Sequence, residues 1–191
     1  MNAVRQVRSR TVVLPAQNID TDQIIPARFL TTTSKAGLGA RLFADWRYRP
    51  DGSADPEFVL NQPASQGCRV LVAGHNFGCG SSREHAAWAL KDFGFDAIVS
   101  TEIADIFRTN ALKNGLVPVS VDARTGAWLL AHPGAEVEID LERLQLVLPT
   151  ERVRFELEPF ARHCLLHGVD ELGYLRSKLP EIERFEAGRS A

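Results

Sequence analysis

The chain has 191 residues, with 22 basic and 24 acidic side chains and a formal charge of −2. That length suits one domain with one sizeable core, and the near-balanced charge argues against nucleic acid or an anionic membrane surface as a partner. Cys68, Cys79 and Cys164 make no CxxC pair and no even-numbered framework, the opening MNAVRQVRSRTVVLPAQ lacks the apolar core of a signal peptide, and no apolar run is long enough to span a bilayer. A reducing cytoplasm is the compartment expected.

From Thr11 to Leu30 the chain reads strand, polar turn, apolar run: TVVLP, AQNIDTD, QIIPARFL. Asn18, Asp20 and Asp22 are turn formers, because short polar side chains bond the local backbone. Residues 31–66 are rich in Thr, Ser, Gly and Pro, with Phe43, Trp46 and Tyr48 clustered in the middle. Loops of this length are usually functional or mobile, and this composition offers little to bury, so much of the stretch is expected to be mobile in the isolated chain.

A buried strand RVLVAG (69–74) follows, then a glycine turn and a helix from about Ser82 to Lys91. After these come a strand DAIVS (96–100), a helix EIADIFRTNALKN stopped by Gly115, and a strand LVPVS (116–120). Strands alternating with helices imply parallel pairing with right-handed crossovers, hence an α/β core. Beyond it, AEVEIDLERLQLVLPTERVRFEL alternates as a β-hairpin does, and EPFARHCLLHGVDELGYL reads as a closing helix ended by Gly168. From about 176 a C-terminal tail is expected.

The stretch GHNFGCGSSREHAAWAL (74–90) concentrates the chemistry. Its glycine spacing is neither the dinucleotide fingerprint nor a phosphate loop, which disfavours nucleotides. Glycines let backbone approach a ligand closely, and a helix N-terminus offers unpaired N–H groups to an anion such as a carboxylate. Ser81-x-x-Glu84 also fits a capping box, a purely structural alternative. Arg83 weighs against it, since a cation in the first turn opposes the helix dipole and is better explained by an anionic partner.

This stretch, with NIDTDQIIPARFL before it and FGFDAIVSTEIADIFRTNALKNGLVPV after it, closely resembles the small subunits of 3-isopropylmalate dehydratase, relatives of the mobile C-terminal domain of aconitase. LFADWRY (42–48) and PFARHCLLHGVDELG (159–173) extend the likeness over nearly the whole chain. The resemblance implies a single swivelling β/β/α domain over 1–191 and a hydro-lyase of leucine biosynthesis, acting on a small dicarboxylate. It also implies a large-subunit partner carrying a [4Fe-4S] cluster, with no cofactor bound by this chain, whose cysteines lack iron–sulfur spacing. On the same pattern Ser81 is the catalytic base, acting as an alkoxide, and Ser82 and Arg83 hold substrate carboxylate. Thr21 and Asp22 fall in a turn at the active site as further substrate-binding candidates, and Leu30, Thr31, Thr32 and Thr33 open a specificity loop.

TTTSKAGLG in that loop is more polar than the resemblance leads one to expect opposite an isopropyl group. Citramalate or another 2-alkylmalate therefore stays open as substrate, since a methylene or two in an apolar pocket is worth only about 1–3 kcal/mol. A non-catalytic binding module of the same fold is the alternative of a different class. His75, Cys79 and His85 match no structural zinc spacing, and His163 and His167 lack the glutamate of a zinc helix, so packing roles are expected for them. Trp46, Trp88 and Trp128 read as core or interface anchors.

Overall fold

The structure, a computed structural model, describes residues 2–31 and 33–189. Its sheet runs β4-β3-β2-β1-β5-β6-β7. The first four of these strands, β1 (Gln6–Leu14), β2 (Val70–Ala73), β3 (Ala97–Ser100) and β4 (Val117–Ser120), are parallel to one another, in the registers Thr11 with Val70, Val70 with Ala97 and Ala97 with Val117. All of β2 and β3 is buried, as expected of parallel strands covered on both faces, and that is why they read as continuous apolar runs. The crossovers are α3 (Glu84–Phe93) between β2 and β3 and α4 (Asp105–Lys113) between β3 and β4. Ahead of them lie two single-turn helices, α1 (Thr21–Ile24) and α2 (Ala44–Arg47).

The sheet separates two apolar cores. On one face Val12, Leu14, Leu71 and Ile98 meet Ala86, Ala89 and Leu90 of α3 and Phe107 and Ala111 of α4. On the other, Val70, Val72, Val99, Val117 and Val119 meet Leu129 and Leu165, from α5 (Ala123–Ala131) and α6 (Pro159–His167), together with Ile139 and Leu146. The swivelling β/β/α architecture expected from the sequence is the one found.

Four details differ from the sequence reading. The expected hairpin is a three-strand meander, β5 (Glu136–Asp140), β6 (Gln145–Val147) and β7 (Arg152–Arg154), antiparallel throughout and joined to β1 by pairs such as Val7 with Ile139. Helix α5 was unmarked in the sequence; the Asp122 side chain caps it, accepting from the Thr125 amide at 2.8 Å. Gly168 ends α6 in the left-handed conformation at φ 68° as expected, but α7 (Glu171–Ser177) and α8 (Leu179–Arg189) follow it, so the stretch from 176 is largely helical.

The fourth concerns residues 31–66, where the expectation of little to bury is overturned. Leu42 and Phe43 are fully buried, Leu38 and Leu60 nearly so, and Phe43 stacks on Trp46 with ring centres 5.6 Å apart. Each such side chain contributes roughly 1.5–3 kcal/mol by leaving water. Polar stitching completes the anchoring: the half-buried Arg47 guanidinium donates to the Gly39 and Leu42 carbonyls and to Asn61 Oδ1, while Asn61 Nδ2 donates to the Arg47 and Asp55 carbonyls. Apolar residues scattered without a period built this packing, so periodicity did not reveal it.

Candidate active site

The loops that follow β1, β2 and β3 gather at the carboxyl ends of these strands, where open α/β sheets place ligands. Residues 74–83 are laced between the other two loops. On one side the Asn18 amide donates to the His75 carbonyl at 2.8 Å, Gly78 to Ile19 at 2.7 Å and Thr21 to Cys79 at 2.9 Å; on the other, Phe77 donates to Glu102 and Ala104 to Phe77, both at 3.0 Å. This lacing explains two of the three glycines. A Cβ on Gly74 would lie 2.3 Å from the Ala16 carbonyl oxygen, and one on Gly78, at φ 76°, 2.4 Å from the Phe107 ring. Their close approach is therefore to the protein's own chain rather than to a ligand, a correction to the sequence reading.

Ser81 and Ser82 leave this brace exposed, and the Arg83 side chain is only 15% exposed. The nearly buried Thr21 donates its hydroxyl to the Ser81 carbonyl at 2.9 Å, so Ser81 is fixed through its backbone. Arg83 Nη1 makes a charged hydrogen bond to Asp22 Oδ1. The guanidinium holds the Asp22 carboxyl below the usual carboxylate range. The structure thus joins two pairs of predicted site residues, Thr21 with Ser81 and Asp22 with Arg83, through the capped turn of α1.

The capping box expected of Ser81-x-x-Glu84 does not form. Helix α3 starts at Glu84, with Arg83 as its N-cap residue and no side-chain cap bond, so Ser81 stands too far upstream. Glu84 instead accepts from Trp88 Nε1 at 3.2 Å and Asn114 Nδ2 at 3.1 Å, and the Asn114 bond, with that of Trp88 and the charges of Lys35 and Lys113, lowers its pKa. A capping box does exist one loop away: Asp20 Oδ1 accepts from the Gln23 amide at 2.8 Å, and Gln23 Oε1 accepts from the Asp20 amide at 2.9 Å. Without a side-chain cap, the start of α3 keeps its dipole end open to an anion.

Leu30 follows a 3-10 turn at Ala27–Phe29 and packs partly buried against the core; Thr31 and Thr33 are exposed, and Thr32 lies outside the described residues. Asn114 carries no sequence mark beyond that of a helix-stop residue, and only the packing of α4 beside α3 brings it to Glu84.

The histidines and cysteines stand apart. His75 Nε2 lies 3.3 Å from Glu102, the His85 ring lies against Trp88, and His163 stacks on His167. Cys68 and Cys164 are buried and Cys79 is half-buried, with burial pushing all three thiols up. Among the described residues no group of three or more His, Cys, Asp or Glu could hold a metal ion, and the cysteine positions do not fit an iron–sulfur cluster.

The family model of the aconitase C-terminal domain matches residues 1–124, which makes this an aconitase-type swivel domain. A 3-isopropylmalate dehydratase small subunit from Anaeromyxobacter is 61% identical over 99% of this chain and all of its own length, and one from Herpetosiphon aurantiacus is 53% identical over all of this chain and 96% of its own. The crystal structure of a 3-isopropylmalate dehydratase chain from Methanocaldococcus jannaschii superposes with a TM-score of 0.70 at 30% identity, covering 94% of this chain and 99% of that one. The chain belongs to the family of 3-isopropylmalate dehydratase small subunits.

Proposed function

We propose that this chain supplies the base and a carboxylate clamp to a hydro-lyase that interconverts 2-isopropylmalate and 3-isopropylmalate through 2-isopropylmaleate, in leucine biosynthesis. The observation that carries the reading is Arg83, mostly buried and locked by Asp22, at an uncapped helix start directly after two exposed serines. A substrate carboxylate finds there a guanidinium in fixed orientation, the Ser82 hydroxyl and the positive dipole end of α3. Asp22, being anionic, orients Arg83 rather than binding the carboxylate itself, while Thr21 positions Ser81.

Elimination breaks a C–H bond beside a carboxylate, places that electron pair in the new C=C bond and lets hydroxide leave from the adjacent carbon. Ser81 Oγ takes the proton. A serine alkoxide is a strong base and needs amide dipoles and positive charge beside it, which the start of α3 and Arg83 provide. Such stabilisation strengthens when water is excluded, and Ser81 and Ser82 are exposed in this chain alone. A large subunit covering them completes the site. The [4Fe-4S] cluster implied by the resemblance is assigned to that subunit, since Cys68, Cys79 and Cys164 stand in three separate places.

Residues 1–191 act as one domain, placed in the cytoplasm; among the described residues no helix is long and apolar enough to cross a membrane. Leu30, Thr31, Thr32 and Thr33 are proposed to border the substrate side chain. The test is hydration of 2-isopropylmaleate, followed by its ultraviolet absorbance, with the two subunits separate and mixed. Activity in the mixture alone, abolished by Ser81→Ala without loss of assembly, is the expected result. Full activity of the variant removes Ser81 from the mechanism, and no activity with this substrate or with the corresponding citramalate-derived alkene favours a non-catalytic module.

A further inference from the structure

We propose that Lys35, Asn114 and Glu84 form a clasp that fastens residues 33–38 along α3 and thereby positions the mouth of the carboxylate site, with Lys35 as a positioning residue. The inference rests on the reading of Ser81–Arg83 as that site.

Residues 33–37 are all exposed, so apolar burial does not hold them. Lys35 does. Its Nζ donates to Asn114 Oδ1 at 2.7 Å and lies 5.2 Å from the centre of the Trp88 ring, a cation–π contact. Asn114 turns its other end to Glu84, with Nδ2 at 3.1 Å from Oε1, and Trp88 Nε1 donates to the same oxygen at 3.2 Å. One amide therefore separates a cation from an anion, its oxygen toward the ammonium and its nitrogen toward the carboxylate. Turned over, it would set donor against donor and acceptor against acceptor, so the network selects one orientation. Glu84 is the first residue of α3 and directly follows Arg83.

The second anchor is Gly39, whose amide donates to Asp92 Oδ2 at 2.7 Å and whose missing Cβ would lie 2.6 Å from the Phe93 nitrogen. The segment therefore runs the same way as α3, with Gly39 at the last turn and Lys35 one turn earlier at Trp88. Upstream of Trp88 the helix has one further turn, to Glu84, the residue that the clasp holds. Releasing Lys35 loosens residues 33–38 and the hold on Glu84, while Gly39 stays packed.

The test uses the reconstituted two-subunit complex with Lys35→Met, Asn114→Leu, the double variant and Lys35→Arg, read by hydration kinetics and by amide hydrogen exchange of residues 33–38. Each single change is expected to raise KM for 2-isopropylmaleate about tenfold, the scale of a lost hydrogen bond to a charged group, with kcat within about twofold and faster exchange in the segment. The double variant is expected to be no worse than either single one, because the groups act as a unit, and Lys35→Arg to retain both properties. Unchanged exchange overturns the clasp, and faster exchange with unchanged KM overturns the positioning role. If the wild-type complex is inactive on this substrate, the functional reading fails by itself and the exchange measurement still decides the clasp.

Discussion

Two helix starts lie side by side at the candidate site, and they are built in opposite ways. Helix α1 is one turn long and has both bonds of a capping box, from Asp20 and Gln23. Helix α3 is ten residues long, carries the sequence of such a box in Ser81 and Glu84, and has no side-chain cap. The short helix closes both cap bonds in addition to the burial of Thr21 and Ile24. The longer one is secured by Ala86, Ala87, Ala89 and Leu90 in the core and dispenses with a side-chain cap. Stability is concentrated in the turn that braces the site and withheld from the helix end that would meet the substrate.

Substitutions at the two starts should separate activity from stability. The largest effect is expected for Ser81→Ala, a loss of about 10²–10⁴ in kcat, the range of a positioned base, with thermal stability unchanged because no cap is removed. A fall in melting temperature with activity retained would invert the comparison. Arg83→Lys keeps the charge but loses the fork that Asp22 orients, and KM should rise about 10- to 100-fold. Asp20→Ala should behave oppositely to Ser81→Ala, costing about 1 kcal/mol of stability and about 2–4 °C in melting temperature, measurable on the isolated chain.

The smallest effect is the pH dependence of the Asp22–Arg83 pair. Asp22 titrates lower folded than unfolded, so its contribution is fully present above the unfolded value, about 3.9, and is lost as pH falls through the lowered folded value. The stability difference between wild type and Asp22→Asn should therefore be constant from about pH 5 upward and close below that ordinary carboxylate value. Asp22 is half exposed, so solvent screening keeps the difference small.

The parallel strands and their crossovers were legible because full burial on both faces leaves continuous apolar runs in Val70–Ala73 and Ala97–Ser100. Gly168 as a helix stop was legible because left-handed backbone suits glycine. Helix α5 was not, since a nine-residue segment with Gly126 inside it has weak propensity and is held by Asp122 and the burial of Leu129. The family was legible in GSSRE, but the local geometry of that stretch was not. Whether Ser81-x-x-Glu84 caps a helix depends on where Arg83 is pulled by Asp22, a residue remote in sequence, and no local rule contains that term.

Strand β1 also sets a timetable for making the protein. Its later half, Thr11–Leu14, finds a partner once Val70–Ala73 has been synthesised, but Gln6–Arg10 pairs with Glu136–Asp140. At about 5–20 residues per second, this strand waits on the order of ten seconds after leaving the ribosome with half of its hydrogen-bonding edge unclaimed. Arg8 and Arg10, outward charges in that waiting half, make it a poor edge for another nascent chain to join.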